Sequence, residues 1–325
     1  MDTQNFHLFL RALALAEDEI RASMIIAERL DAFLSEPGRL RNAATAWAFS
    51  RQLIDDGTNT EANYEALLRY CRFIENDDMY VALLEIVDGG EVGQNLYRMV
   101  GERFGEAFRD EVFAGLGVAP YGTPSPEKPA YLLPVIERIR DRLGEIQCGD
   151  FLSTCLRDLP DDHFRYEPEK YKLAGSIDAY ARQRKEAFMG RLQACLQEGR
   201  LFFAQEITAE VLDFVRSDHE IGGGRREGKI VYETKIPYMT RQYLAETDPV
   251  MKRYYACHCP WARDAIKGGG TNLPATLCSC SAGFHKKSWE VVFHQPLRVD
   301  VLESALKGDL RCRFAIHLPE EAAES

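Results

Sequence analysis

The sequence predicts an α+β fold: a largely helical N-terminal region, then an α+β domain ending in an antiparallel hairpin. Three observations carry this reading. Apolar residues recur at helical spacing through the first third. Strand-like alternation is confined to the region beyond residue 228. Two alternating runs close the chain around Leu306-Lys307-Gly308-Asp309, a hairpin loop by composition.

Taken in order, Leu8, Leu13, Ile20, Met24, Ile25, Leu30 and Phe33 mark an amphipathic helical run that stops at Pro37-Gly38. Its start, Phe6 to Asp18, imitates a signal peptide, yet it has no basic leader and Arg11 interrupts the apolar stretch. Further helices are expected around Ala43 to Leu53, Glu61 to Phe73 and Val92 to Phe113, separated by Gly57, Gly89-Gly90 and the glycines at 115 and 117. Residues 119–131 contain four prolines and form a stiff connector. With 325 residues in all, that connector divides a helical region, 1–118, from an α+β small-molecule-binding domain, 132–325.

Beyond the connector, Tyr131 to Ile146, Ile177 to Cys195 and Thr208 to Val215 read as helices, and Lys229 to Ile236 as a strand halted by Pro237. The segment Gly223 to Lys229 has the letters of a phosphate loop. It lacks the strand before, the helix after and the hydroxyl residue following the lysine, so it reads as an exposed turn and no nucleotide cofactor is expected. In the final hairpin, Leu297 to Ala305 faces Leu310 to Leu318. Setting Ala305 against Leu310 pairs Leu297 with Leu318, Val299 with Ile316 and Val301 with Phe314, and the next pair inward is Glu303 with Cys312.

Composition narrows the partners. The chain is 46% hydrophobic and 28% charged, ordinary for a globular protein, and its formal charge of −11 disfavours nucleic acid and anionic membranes. No apolar stretch is long enough to span a bilayer. The expectation is a cytoplasmic protein, in which nine cysteines serve as free thiols, metal ligands or catalytic thiolates before disulfides.

Five of those cysteines crowd the last quarter: Cys257, Cys259, Cys278, Cys280 and Cys312. Pro260 suits the first position of a short helix ending in a glycine run, which places Cys259 at the N-cap, where free amides favour a thiolate. Extended chain before that helix would point Cys257 and Cys259 to one side. Cys278 and Cys280 would do the same before a helix from Ala282 to Phe293. Two zinc sets are open: Cys257, Cys259, Cys278 and Cys280, or Cys259, Cys278 and Cys312 with Glu303. A catalytic alternative makes Cys259 the nucleophile, with His258 or Glu303 moving protons. In the third reading the thiols only pack, as Cys71 and Cys195 are expected to do. Cys148, Cys155 and Asp161-Asp162-His163 form a second polar cluster, which reads mainly as turn residues. Tyr238, Tyr254, Tyr255, Trp261, Phe284 and Trp289 gather near the cysteine segments and are candidates to line an apolar pocket.

The run from Cys259-Pro260-Trp261 through Cys278 to the segment Lys307 to Phe314 resembles the C-terminal half of vinyl-4-reductase-like domains. It is also similar to 2-aminothiazoline-4-carboxylate hydrolase-like proteins. The shared motifs are a Cys-Pro-aromatic element, a central cysteine and a terminal Gly-Asp-x-x-Cys-x-Phe hairpin, covering about the last fifth of the chain. The resemblance implies an α+β domain around a pocket for a small, apolar or heterocyclic molecule. In sensor members it implies a zinc held by cysteines and a glutamate. Cys278 and Cys312 match two of those cysteines, whereas Ser304 stands at the third and Val301 at the glutamate. The leading expectation is therefore a small-molecule-binding protein with a cysteine-based, zinc-holding site. The alternatives are a hydrolase of a C–N bond in a cyclic amidine or related heterocycle, acting through a Cys thiolate or a metal-bound water, and a structural protein with inert thiols.

Overall fold

A computed structural model describes residues 1–268 and 274–320, and the chain divides into two compact units. Unit 1 comprises Met1–Gln94 and Leu116–Tyr131; unit 2 comprises Asn95–Gly115 and Leu132–Ser325. The architecture is α+β, mostly helical with one small antiparallel sheet.

Unit 1 contains α1 (Thr3–Ala12), α2 (Glu17–Leu34), α3 (Ala43–Asp55), α4 (Glu61–Phe73) and α5 (Asp77–Val87). Local sequence fixes most of their starts. Asp2, Asn42, Thr60 and Asn76 each accept a hydrogen bond from the amide three residues on, satisfying a donor the helix leaves open. The expected long first run is two helices. Ala14 takes a left-handed φ of 55°, and Glu19 bonds back to the Ala16 amide to begin α2. The inward face also differs from the expected one: Phe6, Leu10, Ile20, Ile26, Ala27, Leu30 and Phe33 are buried, while Leu8, Leu13 and Ile25 are exposed. Phe6 and Leu10, one turn apart, share the buried stripe, and Phe6 meets Tyr70 and Phe73 with ring centroids 5.1 Å away. The proline-rich stretch packs within unit 1. Ser50 donates to the Gly122 carbonyl at 2.6 Å and Asn59 to that of Tyr121 at 2.7 Å.

Helices continue with α6 (Val92–Phe104), α7 (Glu106–Val112), α8 (Lys128–Leu143) and α9 (Glu145–Leu152). Gly105 at φ 92° and Gly144 at φ 82° break the two longer helices expected here. Unit 2 then builds α10 (Glu167–Ala174), α11 (Ile177–Glu198) and α12 (Ala209–Ser217). After them come β1 (Arg225–Glu227), β2 (Ile230–Thr234), α13 (Thr240–Ala245), α14 (Pro249–Ala256), α15 (Arg263–Lys267) and α16 (Cys278–Phe293), and finally β3 (Arg298–Glu303) and β4 (Arg313–His317). Gly223 to Lys229, expected as a turn, is the β1–β2 hairpin, with Gly228 at φ 59° making the bend. Of the glycine stop expected after Lys267, Gly269 and Gly270 lie outside the described residues.

All strands pair antiparallel in the order β1-β2-β4-β3. Val231, Ile316 and Val299 form one cross-strand row, and Glu233, Phe314 and Val301 the next. That face is covered by α11 and α16, in a core of Ile177, Tyr180, Val231, Trp289, Val292 and Ile316. Val299–Ile316 and Val301–Phe314 pair as the hydrophobic pattern requires. A bulge between Val301 and Glu303 then shifts the register, so Glu303 opposes Arg313 and not Cys312. The turn beyond is held by Ser304, whose amide donates to Asp309 at 2.8 Å and whose Oγ accepts from the Lys307 amide at 3.2 Å. Among the described residues no helix is long and apolar enough to cross a membrane.

Candidate functional site

Two periodicities meet beneath the sheet. Along β2 and just past it, Val231, Glu233 and Lys235 share one face, and the ladder extends through the Lys235 amide to the Cys312 carbonyl at 2.9 Å. On α16, Ser281, His285 and Trp289 recur every fourth residue and share one stripe. The two sets join like rungs. Lys235 Nζ donates to Ser281 Oγ at 2.9 Å, His285 Nδ1 lies 2.6 Å from Glu233 Oε2, and Trp289 Nε1 donates to Glu233 Oε1 at 2.8 Å. Arg184 from α11 also donates to Glu233 Oε1 at 2.8 Å.

Glu233 is 4% exposed within an otherwise apolar layer. Burial alone would raise its pKa, but the Arg184 charge and the His285 and Trp289 hydrogen bonds outweigh this and hold it at about 2. A carboxylate only accepts, so His285 must carry its proton on Nδ1. Burial, with Lys235 and Arg184 nearby, lowers the His285 pKa against the pull of Glu233, leaving a neutral ring. Its Nε2 is then a lone-pair acceptor, enclosed and without a hydrogen-bond partner among the described residues. Phe284, 41% exposed, has its ring centroid 6.0 Å from the His285 ring and 5.9 Å from Lys235 Nζ.

The thiols fall into two groups. Cys278 is hydrogen-bonded to Ser304 and to the Leu306 amide, while Cys312 receives the Ala305 amide, so the hairpin tip cradles both sulfurs. Burial pushes both thiols up, and Cys257 likewise rises through burial and then through Cys259, Cys312 and Cys278. The second group is Cys155 and Cys280, whose thiols are hydrogen-bonded to each other. The Leu156 amide also donates to Cys280 Sγ at 3.3 Å. That thiol–thiol bond, against burial, and the Arg157 amide hold Cys155 down to about 7, while Cys280 is pushed up. One negative charge is thus favoured on the pair and a second is opposed.

Several expected placements change. Cys259 lies three residues ahead of Ala262, the N-cap of α15; its carbonyl, not its thiol, closes the turn by accepting from Arg263 at 2.9 Å. Cys257, itself extended, caps the C-terminus of α14, so the run expected as extended from Tyr255 is helical up to Ala256. Cys278 and Cys280 occupy the first turn of α16, where residues two apart point to different sides. Glu303 forms a two-bond ion pair with Arg311, at 2.8 and 2.9 Å, on the outer edge of the hairpin. His258 donates from Nε2 to the Ile236 carbonyl at 2.6 Å, and burial lowers its pKa well below the usual value.

The aromatic residues divide by role. Trp261 and Trp289 are fully enclosed core. Tyr238 and Tyr254 carry the buried Arg263 guanidinium over their faces, 4.2 and 5.0 Å from the ring centroids. Tyr255 packs on Tyr254 at 5.4 Å. Cys195 sits in an apolar cluster with Phe188 and Leu192, and Cys71 in the unit 1 core. Asp161, Asp162 and His163 form an exposed short helix tied to Lys287 and Arg165. A groove of about 510 Å³ between α6 and α9, lined by Met99, Phe104, Asp150 and Thr154 among others, includes none of the thiols.

Sequence reasoning missed Glu233, Lys235, Ser281 and Arg184, left His285 without a partner, and set Cys155 in the wrong company. A signal existed for four of these: Glu and Lys two apart on a strand, and Ser and His four apart on a helix. Among the described residues no three His, Cys, Asp or Glu side chains stand close enough together to hold a metal ion. The chain matches no protein-family model, no curated protein and no solved structure.

Proposed function

We propose that unit 2 binds a small molecule where the end of β2 meets α16, and that His285 Nε2 receives a hydrogen bond from it. The observation that carries this is the enclosed acceptor itself. A buried polar atom left unpaired costs about 1–3 kcal/mol, so a site that maintains one on a fixed, neutral ring is preorganised for an incoming donor. Lys235 offers a cation for an acidic substituent, and the exposed Phe284 face offers a surface for a flat ring. A heterocycle bearing both an N–H and a carboxylate satisfies all three. The resemblance around Cys259 to Phe314 points to the same ligand class. Free thiols throughout suit a reducing, cytoplasmic setting.

The test is thermal unfolding in the presence of imidazole-4-carboxylate, thiazole-4-carboxylate and benzoate, on the wild type, His285→Phe and Lys235→Met. A heterocyclic carboxylate should raise the wild-type Tm, and each substitution should remove that rise. No shift with any compound, or a shift that survives both substitutions, contradicts the proposal.

Two further readings have specific support. The Glu233–His285 pair is the arrangement a general base requires, so hydrolysis of a C–N bond in a bound amidine is a proposal that turnover assays test directly. Zinc held by Cys257, Cys259, Cys278 and Cys312 is proposed from the electrostatic influence of the other three thiols on Cys257, although among the described residues no three of these side chains stand close enough together to hold the ion. Elemental analysis of purified protein, with a thiol count before and after chelation, decides it: about one zinc per chain with several thiols released supports the centre.

A further inference from the structure

We infer that Cys155 and Cys280 are a redox-active pair that closes to a disulfide on exchange with a low-molecular-weight disulfide. This does not depend on the small-molecule reading, because it uses different side chains and a different test. The two cysteines lie on separate pieces of chain pressed together by a glycine. A Cβ at Gly283 would stand 2.3 Å from the Ser153 carbonyl oxygen and 3.1 Å from the Cys155 nitrogen, so only glycine lets α16 approach this closely. Cys280 is one turn before Gly283 on that helix and therefore faces the same segment.

The partner segment is shaped to match. α9 ends at Ser153, and Cys155 takes a left-handed φ of 70°, a conformation a non-glycine residue holds only when its surroundings require it. That turn presents the Cys155 thiol to the Cys280 thiol, to which it is hydrogen-bonded, and the adjacent Leu156 amide to Cys280 Sγ at 3.3 Å. The two segments are joined again on either side: Thr276 donates to Glu145, and Lys287 pairs with Asp161. Cys155 is buried and Cys280 half-buried, so Cys280 is the sulfur a small reagent reaches first.

The exchange balances with one named oxidant. As Cys280 attacks one sulfur of the small disulfide, the Cys155 thiolate takes its proton, and a mixed disulfide forms with expulsion of one thiolate. Cys155, deprotonated in turn, attacks the Cys280 sulfur, forms the Cys155–Cys280 bond and expels the second thiolate. Two protein thiols and one small disulfide give one protein disulfide and two small thiols. A dithiol as reductant reverses both steps.

The test equilibrates the full-length wild-type chain in glutathione buffers, from fully reduced to fully oxidised, with acid quenching, alkylation of free thiols and peptide mapping by mass spectrometry. Oxidation should give a cross-linked peptide pair containing Cys155 and Cys280. The alkylatable thiols of the denatured chain should fall from nine to seven, and dithiothreitol should restore them. In Cys155→Ala, Cys280 should accumulate as the glutathione mixed disulfide. The wild-type map stands alone if that variant does not fold. Alkylation of both cysteines across the whole range, or cross-linking of Cys280 to Cys259 instead, overturns the inference.

Discussion

Glu233 holds His285 through Nδ1 at 2.6 Å and leaves Nε2 enclosed with no partner among the described residues. The carboxylate sits in a layer otherwise built from Val231, Phe314, Ile316 and Val301, where an unpaired charge would be strongly destabilising. It is tolerated because Arg184, Trp289 and His285 together fill its acceptor positions. Fixing the imidazole is thus inseparable from satisfying the buried charge.

That coupling predicts a two-stage loss of stability in acid. The folded pKa values of His258 and His285 lie below the usual 6.5, so the unfolded chain takes up those protons first and stability falls as pH drops below 6.5. Glu220, which accepts two hydrogen bonds from Arg313 at 2.7 and 2.8 Å and one from Thr234, and Glu233 are both held at about 2 against a usual 4.5, so each contributes stability that is present above 4.5 and disappears as pH falls towards 2. For the buried Glu233 the second stage is worth roughly 3 kcal/mol. Urea midpoints measured from neutral pH downward should decline in both windows. A flat profile through the lower window would contradict the assigned partners.

Gly283→Ala is expected to be strongly destabilising. Its new methyl would lie 2.3 Å from a backbone oxygen that no rotamer change can move. Overpacking of this kind costs about 1–3 kcal/mol, measurable by chemical denaturation, and should also separate Cys155 from Cys280. An unchanged midpoint would mean that α16 does not approach the Ser153 turn so closely.

On the terminal hairpin, Glu303→Ala and Ser304→Ala should differ sharply. Among the described residues the Glu303 carboxylate bonds the partly exposed Arg311 alone, so its loss should change stability by no more than about 1 kcal/mol. Ser304 is fully buried, accepts the Lys307 amide and bonds the Cys278 thiol, and its removal should cost about 1–3 kcal/mol. Equal effects at the two positions would argue against the bulge that separates their roles.

These sites differ in how far the sequence disclosed them. The pairs Val299–Ile316 and Val301–Phe314 were readable because alternation fixes both face and register. The bulge after Val301 was not, since it arises from how Ser304 and Asp309 close the loop. α3 and α4 matched expectation closely, whereas α5, although Asn76 caps it, went unread. The thiols drew attention by their spacing, but spacing says nothing about Cys155, which reaches Cys280 across 125 positions. His285 lacked a local motif because its partner comes from a strand. Its four-residue spacing from Ser281 and Trp289, set against Glu233 and Lys235, was the available clue.

The most direct test is long-range proton–nitrogen NMR of the His285 imidazole through a pH titration. The arrangement predicts a neutral ring at neutral pH, protonated on Nδ1 with an unprotonated Nε2, and a titration midpoint below the usual 6.5. A ring protonated on Nε2, or one that titrates at or above 6.5, would mean that no open acceptor exists and would remove the basis of the proposed binding site.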